Sequence, residues 1–228
     1  MKSTKPTPVK HGKSRILLID DHPILCEGLA QRINQEPDLS VCGIVGSARE
    51  ALRSIPILKP DCAMVDISLK DGNGIELVKD VRAQFPELAT LVLSMHDESL
   101  YAERVIRAGA RGYIMKREAP ETLIKAIRQV LRGNTYLSEE MTRSMLSRVG
   151  TGSKENKELG TASFTDRELE VYQMIGAGRA TREIATSLNL SVKTIATHRE
   201  NIKHKLNLQT STELVRHAVH WAQTQGAA

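Results

Sequence analysis

Three aspartates stand at the ends of two short apolar runs. Asp20 and Asp21 close Ile16-Leu17-Leu18-Ile19, and Asp66 closes Cys62-Ala63-Met64-Val65. Two further runs end in Ser94, after Thr90-Leu91-Val92-Leu93, and in Lys116, after Gly112-Tyr113-Ile114-Met115. A residue at the end of a buried strand is held in place yet reachable from outside. These ends therefore offer carboxylates, a hydroxyl and an ammonium to one ligand. Carboxylates about 5 Å apart repel by roughly 3 kcal/mol per pair at an effective dielectric of 20, which calls for a cation. Mg2+ suits the set, because it takes one or two carboxylates and fills its remaining positions with water or phosphate oxygens. With that charge neutralised, Asp66 can attack a phosphoryl group while Lys116 pairs with the incoming charge and Ser94 hydrogen-bonds a phosphoryl oxygen. The chemistry is self-phosphorylation from a donor. A lone Asp is usually a turn or helix-cap residue, but that reading does not account for the five positions together.

Such a set needs a scaffold that brings strand ends to one edge. Residues 16–20, 41–45, 62–66, 90–94 and 112–115 read as strands, most of them near-continuously apolar, as in a parallel sheet covered on both faces. Helical patterns fall between and after them at about 23–35, 48–57, 75–85, 100–108 and 120–132, with Pro37, Pro60 and Pro86 in the connections. This is a (βα)5 unit. In a sheet of order 2-1-3-4-5, ligands bind beyond the carboxyl ends of strands 1 and 3, where Asp20, Asp21 and Asp66 fall.

The remainder of the chain is of another kind. Residues 133–160 read as a linker with a short helix at 138–149 and a Gly/Ser/Lys/Glu-rich stretch after it, placing a boundary near residue 155. Helical patterns follow at 166–176, 182–188, 192–206 and 212–224. The tight turn between the second and third of these, with cations on the third, reads as a helix-turn-helix. Thr165 followed by Glu168 is a capping box at the start of the first.

Composition narrows the function. The net charge of +5 arises mainly from residues 1–15, which carry five basic groups and no acid, so residues 1–14 read as a solvated, disordered basic tail. No apolar stretch approaches the roughly 18 residues of a membrane span, no secretory signal is evident, and a cytoplasmic protein is expected. Cys26, Cys42 and Cys62 lie in apolar patterns without metal-ligand spacing and read as core residues. Seven aromatics are too few for the base-stacking modes of single-strand or RNA binding.

The motifs Leu18-Ile19-Asp20-Asp21-His22-Pro23, Val65-Asp66-Ile67-Ser68, Asp71-Gly72-Asn73-Gly74, Leu93-Ser94-Met95-His96 and Ala108-Gly109-Ala110-Arg111-Gly112-Tyr113, with Lys116, resemble the receiver domain of two-component response regulators over residues 15–132. The resemblance implies a flavodoxin-like fold with Asp66 as phosphoacceptor. It also implies that Asp20, Asp21, Asp66 and the Ser68 backbone carbonyl hold Mg2+, and that Ser94 and Tyr113 form a switch pair beside Lys116. In that family the tyrosine ring turns inward when Ser94 is drawn to the phosphoryl group. Lys70 and Arg117 stand where many receivers have proline.

Residues 161–224, with Thr181-Arg182-Glu183-Ile184-Ala185 and Ser191 through Leu206, resemble the four-helix LuxR-type helix-turn-helix domain, which implies a DNA-binding domain over 161–228 and makes the whole chain similar to a NarL/FixJ-type response regulator. By that resemblance a histidine kinase donates the phosphoryl group and double-stranded DNA is the output partner. The phosphorylated chain is expected to act through dimerisation or release of the recognition helix. Lys193, Thr194, Arg199 and Lys203 are placed for DNA phosphates, while Ala196, Thr197 and Glu200 point at base edges. Leu214, Ala218 and Trp221, on the apolar stripe of the last helix, are candidates for dimerisation, with burial in their own domain as the other reading. Ala196 can contact only a thymine methyl and Glu200 can only accept from cytosine, so direct readout is sparse. Two other classes compete with this reading. An Asp-nucleophile phosphohydrolase needs an Asp-x-Asp pair and a cap insertion, and the chain offers neither. A receiver acting through protein contacts alone stays open because of Ala196 and Glu200.

Overall fold

The computed structural model describes residues 12–69, 72–151 and 161–225. They fall into two compact units dividing between Leu146 and Ser147. The first alternates β1 (Ser14–Ile19), α1 (Pro23–Asn34), β2 (Leu39–Val45), α2 (Ala48–Leu58), β3 (Cys62–Asp66), β4 (Ser68–Leu69), β5 (Gly72–Asn73), α3 (Gly74–Gln84), β6 (Ala89–Ser94), α4 (Glu98–Ala108), β7 (Gly112–Met115) and α5 (Pro120–Leu131). Five of these strands pair in parallel in the order β2-β1-β3-β6-β7, the doubly wound arrangement read from the sequence.

Every residue of β3 and β6 is buried, which explains their uninterrupted apolar runs. Ile16, Leu18, Met64, Leu91, Leu93 and Ile114 form one cluster with Ile124, Ile127 and Val130 of α5 and Ile33 of α1. Each such side chain contributes about 1.5–3 kcal/mol by leaving water. Local signals set the helix starts. Pro23 and Pro120 occupy the first turns of α1 and α5, and the side chains of Ser47, Asn73 and Asp97 cap α2, α3 and α4. The Asp97 cap starts α4 two residues before the hydrophobic period suggests. The β4–β5 pair is too short for periodicity to reveal, and Lys70 between the two strands lies outside the described residues.

Two boundaries differ from expectation. The sequence pattern gives a tail over 1–14, yet Ser14 opens β1, its amide donating to the Asp38 carbonyl at 2.8 Å, and Lys13 donates to the Glu36 carbonyl at 3.1 Å. Residues 1–11 lie outside the described residues. The linker was read from residue 133, yet Tyr136 pairs with Gly112 on the edge of β7. Helix α6 follows at Glu139–Thr151, and the remainder of the expected linker, 152–160, is outside the described residues.

The second unit contains a 3-10 turn at Thr161–Ser163 and then α7 (Asp166–Gly176), α8 (Thr181–Ser187), α9 (Val192–Lys205) and α10 (Ser211–Gln225). Its core draws on Phe164, Leu169, Tyr172, Ile184, Ile195, Ile202, Leu214 and Trp221. The turn from α8 to α9 passes through Asn189 at φ 52°, a left-handed position that Asn tolerates better than other non-Gly residues. Among the described residues no helix is long and apolar enough to cross a membrane.

Candidate functional site

The parallel register brings the ends of β1 and β3 side by side, Ile19 opposite Val65, so Asp20 and Asp66 emerge together. At the end of β6 stands Ser94 and, one residue past β7, Lys116, whose amide donates to the Ser94 carbonyl at 2.8 Å. One ammonium serves two carboxylates: Lys116 Nζ lies 2.8 Å from Asp66 Oδ2 and 2.7 Å from Asp20 Oδ2. Asp20 and Asp66 are buried, and Ser94 is fully so. The glycine of Asn73-Gly74 is explained here, since a Cβ on Gly74 would lie 2.0 Å from the Asp66 carbonyl oxygen.

The electrostatics match two buried carboxylates sharing one fixed cation. Burial pushes the Asp66 carboxyl above the usual carboxylate range and Asp20 adds to it, against the pull of Lys116 and the Ser68 amide. Burial opposes the charge on Lys116, yet Asp66 and Asp20 hold its ammonium protonated above the usual lysine range. One ligand atom from each of Asp20, Asp21, His22 and Asp66 lies within 4.8 Å of the others. Hard carboxylate oxygens packed this closely fit a divalent cation. His22 is a member that sequence reasoning missed. Its Nδ1 stands 2.8 Å from Asp20 Oδ1 and 3.1 Å from Asp21 Oδ1, and its place directly after the aspartate pair was the available signal.

The Tyr113 ring is wholly buried, and its hydroxyl donates to the His96 carbonyl at 2.7 Å. Burial pushes its phenol upward. His96 is a second residue that sequence reasoning left without a role. Its amide donates to Ser94 Oγ at 3.1 Å, its Nε2 lies 3.0 Å from Ser68 Oγ, and its ring stacks on Tyr101 with centroids 4.7 Å apart. Ser68, Ser94 and Tyr113 thus meet at one residue, Ser68 at its ring and the other two at its backbone, where the sequence links only the latter two.

In the second unit, Ile195 and Ile202 turn α9 into the core and leave Val192, Lys193, Ala196, Thr197, Glu200, Asn201 and His204 exposed. Lys193, Ala196, Thr197 and Glu200 are therefore where a groove-binding helix would present them. Thr194 is half-buried, and its hydroxyl pairs with that of the cap residue Ser191 at 2.8 Å. Thr197 donates its hydroxyl to the Lys193 carbonyl at 3.1 Å. Two expected phosphate contacts are compromised: Arg199 is half-buried, and the Lys203 side chain, 14% exposed, pairs with Glu200 at 2.9 Å. Sequence reasoning also missed exposed Val192, Asn201 and His204, which the helical period alone would have placed on this face.

The dimerisation set needs correction. Leu214, Ala218 and Trp221 are buried in their own unit: Trp221 packs on Tyr172 at 5.2 Å, and the backbone at Ala218 approaches Gly176 so closely that a Cβ there would lie 2.7 Å from its carbonyl. These side chains are committed to holding α10 against α7, so a contact between copies must use another face, where Val215 is 39% exposed.

Residues 16–128 match the response regulator receiver domain family, and residues 162–218 match the luxR family of bacterial regulatory proteins. The oxygen regulatory protein NreC of Staphylococcus carnosus is 33% identical over 209 residues, covering 90% of this chain and 96% of that protein. Among solved structures, the RcsB response regulator of Salmonella typhimurium is similar with a TM-score of 0.65 at 25% identity, over 92% of this chain and 98% of that one. RcsB from Salmonella enterica serovar Typhimurium bound to promoter rprA in the presence of phosphomimetic BeF3- gives 0.61 at 26% identity, over 91% and 99%.

Proposed function

The chain belongs to the NarL/FixJ-type two-component response regulators, a receiver domain joined to a LuxR-type domain, and acts as a transcription regulator; from that premise we propose that Asp66 is its phosphoacceptor and double-stranded DNA its output partner. The observation that carries the first half is Lys116, one buried ammonium bridging Asp66 and Asp20. An Asp66 Oδ attacks the phosphorus of a kinase phosphohistidine, the P–N bond breaks, and the imidazole departs with its electron pair and takes up a proton. Lys116 pairs with the phosphoryl oxygens, and the Ser94 hydroxyl donates to one of them. Asp20, Asp21, Asp66 and the Ser68 carbonyl would hold Mg2+, which neutralises the charge crowding in this pocket when bound. Uptake is stoichiometric, so the chain is a switch with intrinsic dephosphorylation rather than a turnover enzyme.

A groove of about 610 Å³ supports the kinase as donor. It runs from His22 and Lys116 along Ile24, Leu25, Leu29, Met115 and Pro120, and Ile24 is 87% exposed. An apolar helix face laid there brings its phosphohistidine to Asp66. For DNA, α9 enters the major groove with Lys193 toward phosphates and Ala196, Thr197 and Glu200 toward base edges. Two copies on paired half-sites would meet through the exposed side of α10. This reading puts the protein in the cytoplasm.

Intact mass after incubation with acetyl phosphate and Mg2+, followed by selection of bound genomic fragments, tests both halves. The expected result is one added phosphoryl group, absent in Asp66→Asn, and a fragment set enriched only by the phosphorylated chain. Uptake that survives Asp66→Asn, or no protected fragment in either state, defeats the reading.

A further inference from the structure

The segment after α5 turns back onto the sheet. Tyr136 lies parallel to β7: its amide donates to the Arg111 carbonyl at 2.9 Å, and its carbonyl accepts the Tyr113 amide at 3.0 Å. Gln129 of α5 holds the preceding residue, donating to the Thr135 carbonyl at 2.7 Å. Contact with β7 is so close that a Cβ on Gly112 would stand 2.9 Å from the Tyr136 carbonyl oxygen. Glycine at 112 is therefore what lets the segment cover this edge. Two residues later the Ser138 amide donates to Glu98 Oε1 at 2.9 Å. Ser138 in turn caps α6, its hydroxyl accepting the Met141 amide at 3.0 Å, and Met141 is buried.

Both anchors of this segment belong to the switch. Tyr113 offers its amide to Tyr136 and its hydroxyl to His96. Glu98 is the first residue of α4, directly after the loop in which Ser94 and His96 are bonded to Lys116 and Ser68. A phosphoryl group on Asp66 presents oxygens to the Ser94 hydroxyl and the Lys116 ammonium. A shift of the Ser94–Glu98 loop toward them would carry Glu98 with it, and a displacement of about 1 Å at Glu98 suffices to break a hydrogen bond of ordinary length.

We propose that residues 135–138 form a latch, closed in the unphosphorylated chain by Glu98 and the edge of β7, which phosphoryl uptake at Asp66 opens to release the first turn of α6. The latch rests on the phosphoacceptor reading of Asp66. It gives the signal a covalent exit, since α6 is the stretch through which the chain continues toward the second unit.

Hydrogen–deuterium exchange on the full chain, with acetyl phosphate and Mg2+ as donor and uptake followed by intact mass, tests it. Peptides spanning 134–146 are expected to exchange roughly 10- to 100-fold faster once phosphorylated, the loss matching a hydrogen bond to a charged acceptor. Glu98→Ala should give the fast exchange without phosphoryl. Glu98→Gln keeps an acceptor oxygen and should restore most of the protection. Gly112→Ala should loosen the same peptides from the other anchor. The latch is overturned if phosphorylated wild type keeps or gains protection over 134–146, or if Glu98→Ala leaves it unchanged. Absence of phosphoryl uptake, visible in the mass, sinks the Asp66 reading and the latch with it.

Discussion

Asp66 in the first unit and Glu168 in the second are each 3% exposed and each face a lysine, yet they end in opposite electrostatic states. Burial works against both charges. Glu168 overcomes it: Lys205 and the Thr165 amide and hydroxyl hold its carboxyl below the usual range. Asp66 does not, because desolvation weighs most on it, its lysine is shared with Asp20, and Asp20 itself pushes its carboxyl up. The satisfied carboxylate closes a capping box and ties α7 to α9. The unsatisfied one stands where the proposed phosphoryl group would be taken up. Equal exposure thus separates structure from chemistry only when depth and partners are both counted.

The largest effect should come from removing the satisfied member. Glu168→Ala breaks the capping box and strands Lys205, so the second unit should lose about 2–4 kcal/mol while the first is unchanged. Calorimetry resolving the two transitions checks this. A loss under about 0.5 kcal/mol, the scale of an ordinary surface change, would make Glu168 incidental and dissolve the contrast.

Removing the unsatisfied member should do the reverse. Two carboxylates no more than 4.8 Å from Asp66 repel it by about 3.5 kcal/mol each at an effective dielectric of 20, and Lys116 at 2.8 Å attracts it by about 6. These nearly cancel, leaving the desolvation of Asp66 to decide the sign. Lys116 keeps Asp20 as a partner. Without divalent cation, Asp66→Asn should therefore raise the first unit's stability by on the order of 1 kcal/mol while abolishing phosphoryl uptake. A lower melting temperature would show that Asp66 is as settled as Glu168.

How much of this contrast can be read from sequence follows from its range along the chain. Asp20, Asp21, Asp66, Ser94 and Lys116 are legible because apolar runs mark strand ends and the parallel order brings those ends together. Thr165 and Glu168 are legible as a local capping box. The partnership of Glu168 with Lys205 is not, being a contact between residues 37 positions apart that helical periodicity leaves open. His96 escapes for the same reason, since its role lies in bonds to Ser68 and Tyr113 across the sheet edge. Leu214, Ala218 and Trp221 show the limit of an apolar stripe, which says that a face is covered but not by what.

Acidity sharpens the contrast in a smaller way. The folded pKa of Glu168 is depressed, so its contribution is present above the unfolded value and is lost as pH falls through the folded one. The folded pKa of Asp66 is raised, so its penalty applies above that value and is relieved as pH falls through it. The stability difference between Asp66→Asn and wild type should accordingly shrink on acidification from neutral pH, while that between Glu168→Gln and wild type should shrink only at lower pH. Melting curves across the acid range, taken for both pairs without divalent cation, check the order. If the two differences vanish together, the carboxylates titrate alike.

The smallest effect concerns the lysines. Lys205 is the last residue of α9, and its ammonium is held by Glu168 and the Ser163 carbonyl. Lys193 is exposed at the start of α9 and stands where a phosphate would meet it. For a chain that binds DNA, each phosphate contact adds about 0.9 to the slope of log affinity against log salt. Lys193→Gln should reduce the slope by about that amount. Lys205→Gln should leave it within error and lower the second unit's melting temperature instead. A slope that falls with Lys205→Gln would assign that charge to DNA, and Glu168 would then share its lysine with a ligand as Asp66 does.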